Sequence, residues 1–224
     1  MKIEQKCFES LPFLIHAPDD FDESKKYPIL LHLHGAGTRG LTLEQYAASV
    51  NFKTILHSAS NRLVILSPHC TQNTWYDKFE TLIRFANSLK DLPFADPSRI
   101  YLMGVSMGGY AAWQLAMSQP TLFAAMLPIC GGGMCWNASR LKEIPIWAFH
   151  GGKDATVPPE ESIRMVEKVN KRGGSAKLMI YPENEHNAWD DTFRNPEVFE
   201  WLLSHTNRNA AVQEDEYNGR EAFG

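Results

Sequence analysis

The chain has 224 residues, of which 44% are hydrophobic and 21% are charged, values typical of a globular protein of about one domain. This composition excludes a collagen-like repeat, a coiled coil and disorder along the whole chain. The formal net charge of −4 argues against nucleic acid or an anionic membrane as a partner, and no apolar run approaches the ~20 residues of a membrane helix.

Short apolar runs alternate with segments of helical spacing along most of the chain. Leu11–Ala17 is predicted to be an edge strand. The runs predicted to be central strands are Tyr27–His34, Leu63–Ser67, Ile100–Val105, Ala124–Ile129, Ile146–His150 and Lys177–Tyr181. The segments predicted to be helices are Glu80–Leu89, Tyr110–Gln119, Pro159–Lys171 and Pro196–Ser204. Because strands and helices alternate, we predict an α/β fold with a mostly parallel central sheet and helices on both faces.

The last residues differ from the rest of the chain in composition. Charged residues are frequent from residue 207 to residue 224, and large apolar residues are few. We therefore predict one folded domain over residues 1–206 and a polar, mobile tail over residues 207–224.

The cysteines and the start of the chain bear on its location. Four cysteines without a C-x-x-C pair are too few for a disulfide scaffold in a chain of this length. The opening MKIEQKCFESLPF lacks the apolar core and the cleavage site of a signal peptide. We therefore expect a cytoplasmic protein with reduced thiols.

Ser106 lies in a G-x-S-x-G motif, Gly104 to Gly108, between an apolar strand and an Ala-rich helix. That strand–turn–helix setting is what a nucleophile elbow requires, because the sharp turn lifts the serine hydroxyl above the sheet. The glycines fit the close approach of strand and helix. A glycine-rich turn with a capping serine is the alternative interpretation.

Asp154 and His186 are the residues that best complete a site around this serine. A serine hydroxyl needs a base to take its proton, and the base needs an acid to orient it. In enzymes with a nucleophile elbow, the acid and then the histidine follow the serine on loops after later strands. Asp154 and His186 each come just after a predicted strand, in this order. His205 is the other histidine after Asp154, but it lies at the end of the last predicted helix.

Backbone N–H groups near Ser106 are candidates for an oxyanion hole, which stabilises the negative oxygen of a tetrahedral intermediate. One candidate is the N–H of Met107, next to the serine. The second is the N–H of Ala36, in the loop after the first central strand, with Gly37 as the substitute. We expect His34 to brace this loop rather than to transfer protons.

Two other patterns near this loop point to different chemistry. Gly35–Gly40 matches the G-x-G-x-x-G of dinucleotide-binding folds. Those folds need an acidic residue about 20 positions further on, and there is none between Glu44 and Asp77. His32 and His34 resemble a metal pair, but no acidic residue follows them in the loop. We therefore predict no cofactor and no metal.

Two tryptophans follow predicted strand ends on the proposed active edge. Trp75 follows the loop after the second central strand, and Trp189 lies three residues after His186. We expect both tryptophans, together with Gly37, to contact substrate, and ordinary packing is the alternative for each tryptophan.

Four segments carry a resemblance to a known family: LHLHGAGTRG, GVSMGGYAAWQLAMSQP, HGGKDATVPPEES and ENEHNAWD. They resemble the α/β-hydrolase superfamily over about residues 11 to 204. More narrowly, they resemble its small phospholipase/carboxylesterase and dienelactone-hydrolase-like branch, with feruloyl-esterase-like and prolyl-oligopeptidase-like members. The resemblance implies a single-domain α/β-hydrolase fold, a Ser106–Asp154–His186 triad, an acyl-enzyme intermediate and no cofactor.

One departure and one absence qualify this resemblance. Dienelactone hydrolases themselves use a cysteine nucleophile, where this chain has Ser106. Many relatives carry an inserted lid domain, for which the 18 residues of Ile129–Ile146 leave no room. We therefore expect an open pocket and a small substrate.

The sequence favours a serine carboxylesterase acting on small or short-chain acyl esters. A serine peptidase or amidase of the prolyl-oligopeptidase-like type would use the same three residues. A hydrolase-fold binding module without turnover, a thioesterase and an acyltransferase are further alternatives. We expect a small-molecule ester as the partner and a monomer or homodimer, whereas the acyl and alcohol specificity stays open.

Overall fold

One eight-stranded sheet runs through the computed structural model, which describes residues 2–59 and 61–207. The strands are β1 (Lys2–Phe8), β2 (Leu11–Ala17), β3 (Tyr27–Leu33), β4 (Val64–Pro68), β5 (Ala95–Val105), β6 (Ala125–Ile129), β7 (Ile146–Gly151) and β8 (Ala176–Tyr181). Their order across the sheet is β1-β2-β4-β3-β5-β6-β7-β8. The pairs β1–β2 and β2–β4 are antiparallel, and all further pairs in this order, from β4–β3 to β7–β8, are parallel. The predicted α/β fold with a mostly parallel sheet is confirmed.

Helices cover both faces of this sheet. They are α1 (Leu43–Ala48), α2 (Val50–Ala59), α3 (Phe79–Ser88), α4 (Met107–Ser118), α5 (Glu160–Lys171), α6 (Trp189–Arg194) and α7 (Pro196–Leu203). Leu31 and Leu102 belong to the apolar layer under α3, α4 and α5, whereas Leu30 and Tyr101 belong to the layer under α2 and α7. Because successive strand residues face opposite sides, β3 and the second half of β5, from Ile100 to Val105, are apolar at nearly every position.

The two edges of the sheet differ from the sequence-based prediction. The prediction that Leu11–Ala17 is an edge strand is wrong, because β2 pairs with β1 on one side and with β4 on the other. β1 was not predicted, because it has few apolar residues and its Gln5 and Lys6 are exposed. A strand at the edge of a sheet, which pairs with one neighbour, can tolerate such residues. β8, predicted to be central, is the opposite edge strand, and its residues alternate between half-buried and exposed. Periodicity alone did not reveal that one side of each strand is unpaired.

The helices α1, α2 and α6 were also not predicted. α1 has six residues and begins with a capping box, in which Thr42 and Gln45 each bond the other's backbone N–H. The T-x-x-Q pattern was the available signal for this start. α2 adds Phe52 and Ile55 to the apolar layer beside β3 and β4.

The parallel strands bring several loops to one edge of the sheet. The loops after β3, β5, β7 and β8 all follow the carboxyl ends of their strands, which is where open α/β sheets bind ligands. No helix in the described ranges is long and apolar enough to cross a membrane. Of the predicted tail, Asn207 is described, and its N–H donates to Ser98 O at 2.8 Å. Residues 208–224 lie outside the described residues.

Candidate active site

Ser106 occupies a strained turn between β5 and α4. Its φ of 54° and ψ of −117° lie in a region that costs a non-glycine residue about 1–3 kcal/mol. The turn is closely packed, because a Cβ added at Gly104 would lie 2.1 Å from Gly108 O and one at Gly108 would lie 2.0 Å from Leu33 O. The Ser106 N–H donates to Ile129 O at 2.8 Å. The hydroxyl is therefore presented from a rigid backbone, as the G-x-S-x-G motif predicts.

His186 connects Ser106 to Asp154. Its Nε2 lies 2.8 Å from Ser106 Oγ, and its Nδ1 lies 2.6 Å from Asp154 Oδ2. An ionised carboxylate only accepts hydrogen bonds, so the proton of the neutral imidazole is on Nδ1. Nε2 is then free to accept the serine proton. The structure thus brings together three side chains that are separated by 80 and 32 positions in sequence.

Asp154 is buried on the loop after β7, residues 151–157, which we call the acid loop. Its Oδ1 accepts the N–H groups of Thr156 and Val157, each at 2.9 Å. Burial alone raises the pKa of the Asp154 carboxyl, but the hydrogen bonds from Val157 N–H and His186 outweigh it and hold the pKa below its usual value. The carboxylate is therefore ionised at neutral pH and oriented from both sides.

His150 supports the acid loop and was missed as a site residue by sequence reasoning. Its Nε2 lies 2.9 Å from Val157 O and 3.4 Å from Asp154 Oδ2, and its Nδ1 lies 2.7 Å from Ser162 Oγ. Burial lowers the pKa of His150. The available signal was a histidine at a strand end, directly before Gly-Gly-Lys-Asp.

Cys130, His150 and Asp154 hold three metal-ligating atoms within 4.8 Å of one another. Burial raises the pKa of the Cys130 thiol to about 12, so the thiol carries its proton at neutral pH. Both ring nitrogens of His150 contact protein oxygens. Asp154 Oδ2 contacts His186 Nδ1 at 2.6 Å, so the His150 and Asp154 atoms of this group are already engaged within the protein.

The loop after β3, residues 34–39, passes beside Ser106, and we call it the oxyanion loop. A Cβ added at Gly35 would lie 3.4 Å from Ser106 Cβ. Ala36 begins a 3-10 turn and Met107 begins α4, so neither N–H has a partner within its own helix. A Cβ added at Gly37 would meet nothing within 4 Å, so space does not require glycine there.

The His34 ring, the backbone N–H of Cys70 and the indole of Trp75 hold the oxyanion loop in place. His34 Nδ1 lies 2.7 Å from Gly35 O, and His34 Nε2 accepts the Cys70 N–H at 3.0 Å. These two contacts require a neutral ring with its proton on Nδ1, so His34 braces the loop. Trp75 is fully buried, and its Nε1 donates to His34 O at 3.0 Å. In place of the expected contact with substrate, Trp75 supports the loop backbone.

A cavity of about 560 Å³ opens beside Ser106 and His186. Trp189 lines it and meets the His186 ring edge-on at 5.3 Å between centroids. Tyr46, Phe52, Val105 and Phe193 supply apolar wall, and Ala36 and Gly37 also line the cavity. Among the described residues that line it, there is no Asp, Glu, Lys or Arg. The cavity therefore suits a neutral and largely apolar group.

Comparison with known proteins gives one family match and several partial relatives. The model of the dienelactone hydrolase family matches residues 67–217. Dipeptidyl-peptidase 5 of Porphyromonas gingivalis is 20% identical over an alignment of 220 positions, which covers 75% of this chain and 32% of that protein. A probable dipeptidyl-peptidase 5 of Aspergillus clavatus is 23% identical over 247 residues, covering 84% of this chain and 33% of that protein. The chain spans about a third of the length of these relatives.

Solved structures share the fold. The crystal structure of a thermostable esterase matches with a TM-score of 0.78 and 29% identity, over 91% of this chain and 63% of the esterase. Est1E from Butyrivibrio proteoclasticus matches with a TM-score of 0.70 and 15% identity, over 90% of this chain and 98% of Est1E. At that identity, Est1E shows the likeness of fold alone. The family match spans more than half of the chain and includes Ser106, Asp154 and His186. The chain therefore belongs to the dienelactone hydrolase family, a family of hydrolases whose α/β fold it shares.

Proposed function

We propose that the protein is a serine carboxylic ester hydrolase that acts on small or short-chain acyl esters. The observation that carries the proposal is the unbroken line of hydrogen bonds from Ser106 Oγ through His186 to Asp154, at 2.8 Å and 2.6 Å. A nucleophile, a base and an orienting acid in this arrangement perform acyl transfer on several unrelated folds. The line ends at the cavity, where a substrate has access to the serine.

In each step of the proposed reaction, named residues form or break a bond or transfer a proton. Ser106 Oγ attacks the ester carbonyl carbon while His186 Nε2 takes the hydroxyl proton. The N–H groups of Ala36 and Met107 stabilise the oxyanion of the tetrahedral intermediate. His186 then gives the proton to the leaving alcohol, which leaves an acyl-enzyme. Water repeats the attack with His186 as base, releases the acid and restores Ser106.

The cavity favours an ester over a peptide end. Relatives named dipeptidyl-peptidase make a peptidase the second candidate. The amino terminus of a peptide is a cation near neutral pH and needs a carboxylate partner when it is desolvated. The described lining has no Asp or Glu, and burial lowers the pKa of His32 and His34 to about 3, so both are neutral. An uncharged ester meets no such cost.

The proposal is tested by assaying hydrolysis of p-nitrophenyl acetate and butyrate without added metal, beside an amide and a dipeptidyl analogue of the same leaving-group type. We expect turnover of the esters and slow or no turnover of the peptidyl substrates. Ser106→Ala should lower kcat by roughly a million-fold, because the nucleophile is lost. The matched control is Ser24→Ala, an exposed serine before β3 at the opposite end of the sheet.

Covalent labelling gives an independent measurement. A fluorophosphonate should add to Ser106 Oγ, and peptide mass spectrometry should locate the label there. Faster cleavage of the dipeptidyl analogue than of the esters would favour the peptidase, and ligand retention without any product would favour a binding module. The domain bounds, the cytoplasmic location and the monomeric or homodimeric state stay predictions of the sequence.

A further inference from the structure

His32 lines the active-site cavity at a distance from the reacting serine. It lies on β3, where it pairs with Met103 of β5, three residues before Ser106. At about 3.3 Å per strand residue, this separation places His32 roughly 10 Å from Ser106 along the strands. A substrate group that fills the cavity can therefore reach His32 while its ester carbonyl is at Ser106.

The hydrogen bonds around His32 determine which ring nitrogen carries the proton. Tyr46 Oη lies 3.0 Å from His32 Nδ1, and Ser67 Oγ lies 3.3 Å from it. Burial raises the pKa of Tyr46 and outweighs the opposing effect of a hydrogen bond with Ser67, so the phenol keeps its proton. We assign this proton to His32 Nδ1, because an imidazole nitrogen is a better acceptor than the Ser67 hydroxyl. Burial also lowers the pKa of His32 to about 3, so the ring is neutral. A neutral imidazole that accepts at Nδ1 carries its hydrogen on Nε2.

The Nε2–H of His32 has no partner among the described residues. The side chain is 4% exposed, and Nε2 is not sealed away from solvent by the surrounding protein. Since His32 lines the cavity, the access of this nitrogen is to the cavity. The nearby wall is apolar, from Phe52, Val105 and Phe193. A polar donor so placed among apolar groups favours a substrate that offers it an acceptor.

We propose that His32 is a specificity-determining residue whose Nε2–H donates a hydrogen bond to a neutral oxygen acceptor at the far end of the substrate group that fills the cavity. This inference rests on the proposed ester hydrolysis and deepens it. The preferred substrates are uncharged esters with a ketone, ether or hydroxyl oxygen several atoms from the scissile carbonyl. Carboxylates at that position are disfavoured, because no cationic side chain lines the described cavity.

The test compares esters that differ only in this acceptor. One pair is p-nitrophenyl 5-oxohexanoate and p-nitrophenyl 5-methylhexanoate, which tests the acyl group. The other pair is 5-oxohexyl acetate and 5-methylhexyl acetate, followed by pH-stat, which tests the alcohol group. In at least one pair the wild-type protein should prefer the oxo ester. His32→Phe should reduce that preference roughly three- to tenfold, the usual range for one neutral hydrogen bond.

The change should appear in KM rather than in kcat, because the contact is the same in the ground state and the transition state. His32→Gln keeps an N–H donor and should retain most of the preference. Phe193→Leu is the matched control: Phe193 lines the cavity and makes no ring contact with His32 or Tyr46 in the described structure, so the substitution should change both esters of a pair alike. His32→Leu replaces His32→Phe if the larger ring prevents folding, and stoichiometric fluorophosphonate labelling reports an intact site.

The outcomes separate this inference from the proposed function. If no ester in either pair is hydrolysed, the ester hydrolase proposal is wrong. If the esters are hydrolysed but neither pair shows an oxo preference, or if the preference survives His32→Phe and His32→Leu unchanged, the role of His32 is wrong while the hydrolase proposal stands.

Discussion

The acid loop and the oxyanion loop lie on opposite sides of Ser106 and are held by different chemistry. In the acid loop, an ionised carboxylate on Asp154 receives hydrogen bonds from two backbone N–H groups and from His186. In the oxyanion loop, a neutral imidazole on His34 and the indole of Trp75 hold the backbone. The acid loop therefore depends on a charge, and the oxyanion loop depends on shape and neutral polar contacts. The two loops should respond differently to substitution and to pH.

The largest expected difference comes from removing the charge of the acid loop. Asp154→Asn keeps the side-chain shape, but its amide can donate to His186 Nδ1 and so move the imidazole proton to Nε2. His186 then cannot take the proton of Ser106, and kcat should fall about 10,000-fold. The measurement is hydrolysis of p-nitrophenyl butyrate, with circular dichroism as the check on folding.

The matched control for that change is Asp20→Asn, at an exposed position between β2 and β3. This control variant should keep wild-type kcat. An Asp154→Asn variant that keeps a tenth or more of wild-type kcat would mean that the acid loop does not orient His186 through charge.

The acid loop and the nucleophile elbow were accessible from the sequence because their signals are local. Gly104 and Gly108 report the close approach of strand and helix, and Asp154 and His186 each follow a predicted strand in the expected order. Parallel strands with the same direction then bring these residues to one edge. Local sequence patterns and the parallel topology together were enough to predict that Ser106, Asp154 and His186 form one site.

The contacts that support the oxyanion loop and the contacts around His32 in the cavity could not be predicted in this way. Trp75 contacts His34 across 41 positions of sequence, and Tyr46 reaches His32 from a helix that periodicity did not predict. Such contacts are decided by side-chain packing between layers, which a single sequence does not encode as a pattern. The position of Trp189 near the site could be predicted from the sequence, because a residue only three positions after His186 must lie close to it.

A smaller effect should come from loosening the oxyanion loop without changing any charge. Trp75→Phe removes the Nε1–H that donates to His34 O and leaves that carbonyl buried without this partner. The Ala36 N–H should then be less well aimed, and kcat should fall roughly tenfold with KM little changed, less than the loss of an oxyanion donor itself. Steady-state kinetics on p-nitrophenyl butyrate checks this.

Trp136→Phe is the matched control, because it is the same substitution at a surface residue that is 74% exposed. This variant should keep wild-type kcat. If Trp75→Phe alters KM and leaves kcat at the wild-type value, Trp75 contacts substrate as the sequence suggested and does not act through the loop.

The smallest expected effect is a dependence of stability on pH. Burial lowers the pKa of His32 and His34, near the oxyanion loop, to about 3, below their value of about 6.5 in an unfolded chain. Between these values the unfolded state binds more protons than the folded state, so the free energy of unfolding falls as pH falls from about 6.5 towards 3. Each histidine contributes about 1.4 kcal/mol per pH unit to this slope. The Asp154 pKa is also depressed, but an acid contributes only below its unfolded value of about 3.9.

Urea unfolding between pH 6.5 and pH 4.5 therefore reports the buried histidines. Because burial also lowers the pKa of His150 beside the acid loop, a substitution of His32 is needed to isolate the oxyanion side. His32→Gln removes one titrating group from that side and should reduce the slope by about 1.4 kcal/mol per pH unit. Gln72→Asn, at an exposed position after β4, adds and removes no titrating group and should leave the slope near that of the wild type. An equal slope in wild-type protein and His32→Gln would mean that His32 is charged or hydrated in the folded state, and the neutral donor assigned to Nε2 would have to be given up.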